Sequence, residues 1–146
     1  MNEIRVDLPN SLPTDYSAKS YSPYEWAVLK NLDYYVEGLG HITIPEGYMT
    51  DFESVPRLPG VFAFAKLVAV KESVLHDYMY DCMTHKVTRK FADQVFYNAM
   101  RQHGVGRFRA YTMYLAVRAF GRRPWNTDSR HKCPKFSEKK NKGKIL

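Results

Sequence analysis

Ser73-Val74-Leu75-His76-Asp77-Tyr78-Met79-Tyr80, answered by Phe91-Ala92-Asp93, is the stretch whose reading decides how this chain folds. Around it the apolar residues recur with a helical period. Leu67, Val68, Val74, Leu75, Tyr78, Met79 and Cys82 fill one arc of a wheel, and Ala65, Ala69, Ser73, His76 and Tyr80 form a second stripe. One helix is therefore predicted from about Phe62 to about Met83. Its small residues let another backbone come close, and Glu72, His76 and Tyr80, spaced i, i+4, i+8, can touch.

The next helix runs from Thr88 to His103, with Phe91, Ala92, Val95, Phe96, Ala99 and Met100 on one face. Asp93 lies at the edge of that face, and Arg89 one turn earlier reads as a surface ion-pair partner. Gly104-Val105-Gly106 ends the helix. A third helix covers Arg107–Phe120; its Tyr111–Val117 stretch is apolar nearly all round, which predicts a central position. Gly121 and Pro124-Trp125 stop it.

Working towards the N-terminus, the period changes from helical to alternating. Leu32-Asp33-Tyr34-Tyr35-Val36 and His41-Ile42-Thr43-Ile44 are rich in β-branched and aromatic residues, and Glu37-Gly38-Leu39-Gly40 is a connection of hairpin length. Pro45-Glu46-Gly47 turns the chain into a short extended piece at Tyr48-Met49-Thr50. Thr50-Asp51-Phe52-Glu53 offers a capping box, but Pro56 and Pro59 keep any helix there brief. Tyr24–Leu29 reads equally as a strand or a helical turn. A short strand fits Ile4–Leu8, inside a segment that Pro9, Pro13 and Pro23 punctuate too often for a long element. The expected architecture is α+β: a small antiparallel sheet from the N-terminal third, packed on about three helices. An arm (1–23), a single domain (24–125) and a basic tail (126–146) divide the chain.

With 146 residues, the chain can bury a core without staples. Cys82 and Cys133 lie far apart in different settings, so no disulfide is expected, Cys82 reads as a core residue, and a reducing compartment fits. His85, His103 and His131 lack zinc-ligand spacing with either cysteine. No secretory segment opens the sequence, and the longest apolar run, Val61–Val70, is broken by Lys66 and falls short of the roughly twenty residues a span requires. The formal charge of +7 belongs to the end of the chain. Arg118–Leu146 carries ten bases against two acids, whereas residues 1–117 carry twelve bases and thirteen acids. Lys139-Lys140-Asn141-Lys142-Gly143-Lys144 suits phosphates of nucleic acid or a membrane surface, or else is simply solvated.

The chemistry sits where the reading began. A neutral imidazole at His76 can take a proton if a buried carboxylate, Asp93, holds its tautomer and stabilises the imidazolium, with Tyr80 as a second orienting group. Asp77, one step round the helix, could bind a hard cation, calcium or magnesium, and Asp51 could add a third carboxylate. The plainer reading makes His76–Asp93 a hydrogen-bonded brace between two helices, Asp51 a turn residue, and Arg57 the partner of a nearby acid.

His76-Asp77-Tyr78-Met79-Tyr80 followed by Ala92-Asp93-Gln94-Val95-Phe96 resembles the helix pair of secreted calcium-dependent phospholipases and of the lipase domain in parvovirus capsids. That resemblance implies His76 as general base, Asp77 as calcium ligand, and Asp93 and Tyr80 as orienters. The glycine-rich calcium loop of those enzymes has no counterpart in Asp51–Gly60. A broader resemblance runs through Pro45–Arg57, Val74–Tyr80, Arg89–Phe96 and Met113–Gly121, which are similar, in order, to a small family of unknown function encoded by tailed phages and prophages. It implies phage origin rather than an activity, and the arm and the basic tail lie outside it. The function expected beside it is that of a virion-associated protein that docks on neighbouring subunits, or on copies of itself, through arm and tail, found in the virion or the host cytoplasm. The alternative it leaves open is a cation-assisted phage hydrolase acting on the host envelope.

Overall fold

In a computed structural model, the structure describes residues 3–9, 26–50, 54–56, 58–127 and Cys133. Among them the strands are β1 (Val6–Asp7), β2 (Trp26–Ala27), β3 (Leu32–Val36), β4 (Gly40–Ile44) and β5 (Met49–Thr50). The helices are α1 (Pro59–Leu67), α2 (Val70–Cys82), α3 (Arg89–Gln102), α4 (Arg107–Phe120) and α5 (Arg122–Asn126). The architecture is α+β, as expected, with a three-stranded antiparallel sheet ordered β1-β3-β4 and a separate β2–β5 pair.

The hairpin follows from alternation. Leu32, Tyr34 and Val36 on β3 and Ile42 and Ile44 on β4 point into the core, paired Leu32 with Ile44 and Tyr34 with Ile42. Gly38 and Gly40 take the positive φ angles (92° and 87°) that the tight connection demands. Tyr34 carries its hydroxyl through the core to the Lys71 carbonyl on α2, 3.0 Å away, so the sheet and the helical layer meet through a hydrogen bond as well as through apolar contact. Opposite, Gln102 at the end of α3 accepts from the Val6 amide at 3.0 Å and donates to the Ile4 carbonyl.

Two apolar cores lie on either side of α3. Val6, Leu32, Val36, Ile44, Leu75, Met79, Val95 and Ala99 belong to the first, between sheet and helices. Val55, Ala65, Ala69, Phe96, Met100, Met113 and Val117 belong to the second, among α1, α3 and α4. This division corrects the expectation of one helix from Phe62 to Met83. The segment breaks at Val68–Ala69, where both amides reach back to the Phe64 carbonyl. The break turns α1 towards the second core and α2 towards the first, although the sequence there contains neither glycine nor proline.

The prediction of a central third helix is also corrected. α4 buries only Ala110, Met113 and Val117. Phe108 is 84% exposed, Phe120 57%, and Tyr111 and Leu115 48% each. Cys82 is bonded to Cys133 rather than free, with 5.7 Å between their Cα atoms; the expected absence of a disulfide was wrong. No described helix is long and apolar enough to cross a membrane.

Candidate functional site

α2 is buried almost all round from Glu72 to Asp81. It carries both titratable residues from which the sequence reading started. His76 and Asp93 face each other across the α2–α3 contact with Nε2 and Oδ1 2.7 Å apart, both side chains fully buried. Tyr80, one turn after His76, donates its hydroxyl to the same Oδ1 at 2.7 Å. The three residues expected to act together are therefore brought together.

Two partners were not among the expected site residues. Ser54 lies 3.0 Å from His76 Nδ1 through its Oγ. Arg118 of α4 donates to Asp93 Oδ2 at 2.9 Å. Arg89, expected on the surface, instead lies between α3 and the end of α4. Its Nη1 donates to the Val117 and Arg118 carbonyls at 3.1 and 3.2 Å and stands 3.5 Å from Asp93 Oδ2. It thus adds a donor to the last carbonyls of α4, of which Val117 also accepts from the Gly121 amide at 2.8 Å. Gly121 closes this corner: a Cβ there would stand 2.5 Å from the Tyr80 hydroxyl and would collide with the Val117 carbonyl.

The proton pattern follows from the charges. Burial raises the Asp93 carboxyl, but hydrogen bonds from His76, Tyr80 and Arg118 outweigh it and hold the group below the ordinary carboxylate range. An ionised Asp93 accepts from Nε2–H, and in the neutral ring this leaves Nδ1 to accept from Ser54 Oγ–H. Burial and the Asp93 charge push the Tyr80 phenol far up, so it stays a donor. The His76 ring stacks on Phe96 with centroids 4.6 Å apart. Ser54, His76 and Asp93 thus form a continuous serine–imidazole–carboxylate relay. Ser54 and His76 are each only 1% exposed, so the relay is closed to solvent.

Asp77, the residue expected to hold a cation, accepts from several protein donors. Its Oδ2 accepts from Thr50 Oγ1 at 2.7 Å and from the Tyr48 hydroxyl at 3.1 Å, and its Oδ1 accepts from the Ser54 amide at 3.2 Å. The same Tyr48 hydroxyl lies 2.7 Å from Asp81 Oδ2, and burial together with these carboxylates keeps the phenol protonated. Asp77 therefore ties β5 and the turn at Ser54 onto α2. Among the described residues no cluster of three or more His, Cys, Asp or Glu is placed to hold a metal ion. Asp51 and Arg57 lie outside the described residues, as do the capping box at 51–53 and most of the arm and tail. Glu72 does not join the relay: it is buried, which raises its carboxyl, and the charges felt there are those of His103 and Lys71.

The span that holds most of this network, residues 26–117, matches the model of a family described as protein of unknown function, DUF1353. The chain belongs to DUF1353. The matched DUF1353 span takes in β2 to β5, α1 to α3 and nearly all of α4, and so includes Ser54, His76, Asp77, Tyr80, Arg89 and Asp93 but stops just before Arg118. No curated protein and no solved structure matches the chain.

Proposed function

We propose that this DUF1353 chain is a component of a tailed-phage particle that docks on neighbouring subunits, and that the face of α4 is one of its docking surfaces. The observation that carries this reading is the exposure of Phe108, Tyr111, Leu115 and Phe120 on one helix. Phe108, Tyr111 and Leu115 share one side of α4 by helical spacing, and Phe120 ends it; apolar surface left exposed in this way marks interaction sites, because leaving it in water costs roughly 25 cal/mol per Å². The relay suits the same role as a brace. Ser54, α2, α3 and α4 are held by one set of buried hydrogen bonds, with the Asp93 charge balanced by Arg118 and Arg89. The Cys82–Cys133 bond agrees, since disulfides persist at virion surfaces and outside cells. Phage origin rests on the sequence resemblance. The test is proteomic: particles purified from a lysogen carrying this gene are expected to contain the chain in fixed copy number. Particles devoid of it would end the proposal.

The relay geometry favours a second reading, an acyl hydrolase with Ser54 as nucleophile, His76 as base and Asp93 as orienting carboxylate. A substrate would reach Ser54 only after the relay is uncovered. Treating the native protein with a fluorophosphonate probe separates the two readings. Labelling of Ser54 that is lost in His76→Ala supports hydrolysis, and an unlabelled native protein that still assembles into particles removes it.

A further inference from the structure

Helices α1 and α4 leave between them an open apolar groove of about 570 Å³, lined by Leu58, Val61, Ala63, Phe64, Phe108 and Met113 among others. None of its lining residues belongs to the His76 relay. Its rim is unusually apolar for a surface: Leu58 is 45% exposed and Val68 57%, beside the 84% of Phe108. The charge on the two helices that form it has one sign. No acidic residue occurs between Glu53 and Glu72, nor between Asp93 and Asp128, so neither α1 nor α4 carries an acid. Arg107 and Arg109 are exposed at the start of α4, and the Arg109 guanidinium lies 5.9 Å from the Phe64 ring centroid, at the groove.

We infer that this groove takes an amphipathic helix of a partner subunit, one whose apolar stripe is flanked by acidic residues. The inference rests on the docking reading of α4 and names the chemistry of what docks. A cleft between two helices accepts side chains spaced i, i+3, i+4 and i+7 on a third, and acids beside that stripe meet Arg107 and Arg109. A second copy is a poor occupant, because symmetric pairing of this face would set α4 arginines against their own counterparts. The chain's own tail, rich in lysine, has the wrong sign. A flat bilayer surface would cover the exposed Phe108 but would not fill the concavity.

The experiment uses the full chain and three fluorescein-labelled synthetic peptides of about 18 residues. One is a leucine-striped helix flanked by Glu, one is the same helix with Lys in place of Glu, and one is the Glu composition scrambled. Anisotropy titrations are expected to show the Glu helix binding at least about tenfold tighter than either control, and weakening as salt rises. Ala63→Trp, which fills the groove, and Phe108→Ala, which removes its rim, should each weaken binding about tenfold or more with an unchanged circular dichroism spectrum. Arg109→Glu should narrow or reverse the preference for Glu over Lys. The inference is overturned if the Glu helix does not bind, if the scrambled peptide binds equally, or if both groove variants bind as the native protein does. Phe108-dependent binding to anionic vesicles without peptide binding would replace it with a lipid surface, and concentration-dependent dimers lost in Phe108→Ala would replace it with self-association. Particle composition decides the docking reading separately: particles that contain the chain while the peptides fail to bind would remove only the partner chemistry.

Discussion

Replacing Asp93 by Asn is the most informative perturbation of the buried network, because it keeps shape and removes charge. The Asn carbonyl can still accept from Tyr80 and His76, which now meet Oδ1 at 2.7 Å each. Its amide then faces Arg118 Nη1, 2.9 Å from the present Oδ2, donor against donor, with Arg89 close behind. Removing one partner of a buried ion pair typically costs about 3–5 kcal/mol. The Arg118 and Arg89 side chains retain 29% and 15% exposure, so water recovers part of that cost, and about 3 kcal/mol is expected at pH 7. For a chain of this size that is a fall of about 10 °C in Tm. The pH dependence has a definite sign. The folded Asp93 carboxyl lies below its ordinary value of 3.8. Its contribution is therefore complete above about pH 5 and is lost as pH falls through 4 towards the folded value. Urea unfolding followed by circular dichroism should give a gap between native protein and Asp93→Asn at pH 7 that narrows below pH 4. A cost under about 1 kcal/mol at pH 7, or a gap that does not narrow in acid, would refute the charge-balanced description of the network.

Other outcomes follow from the same structure. Gly121→Ala, at an ordinary φ of −82°, should cost about 1–3 kcal/mol, because the new methyl meets the Tyr80 hydroxyl and the Val117 carbonyl; thermal unfolding measures it. Lys86 is 2% exposed, and its Nζ has no hydrogen-bond partner among the described residues. Burial lowers its pKa, so it weakens the fold while charged, and Lys86→Met should gain about 1 kcal/mol at pH 7 with the advantage shrinking towards pH 10. Breaking Cys82–Cys133, which are 51 residues apart, with a Cys133→Ser, Cys82→Ser double variant should lower stability by about 2–4 kcal/mol. Thiol titration of the unfolded native protein without reductant should find no free sulfhydryl.

What could be read from the sequence was whatever depends on near neighbours. The β3–β4 hairpin was legible because Leu32, Tyr34, Val36, Ile42 and Ile44 alternate and glycines stand at the turn. α3 was legible because Thr88 caps it, accepting from the Phe91 amide, and Gly104 follows it. His76, Tyr80 and Asp93 were legible as a group because one helical turn and one helix contact separate them. The break at Val68–Ala69 was not, because the requirement that splits the helix comes from two cores rather than from a local breaker. The exposed face of α4 was misread for a related reason: an apolar helix built for burial and one that presents its face to water have the same composition. Arg118 and Ser54 reach the network from 25 and 22 residues away in sequence, beyond what periodicity can register. The link between Cys82 and Cys133 has no local signature at all.

The contact between Gln102 and β1 has a consequence for how the molecule keeps to itself. Val6 N–H and Ile4 C=O point away from β3, along the open border of the sheet, where another strand could add. The Gln102 side-chain amide, one acceptor and one donor on a single plane, occupies both positions as a strand would. A helix residue thereby finishes the sheet. Gln102→Ala would leave the fold largely intact and uncover two adjacent backbone groups of opposite polarity, a template for edge-to-edge fibrillation. A thioflavin response from that variant alone would locate the safeguard in this one side chain.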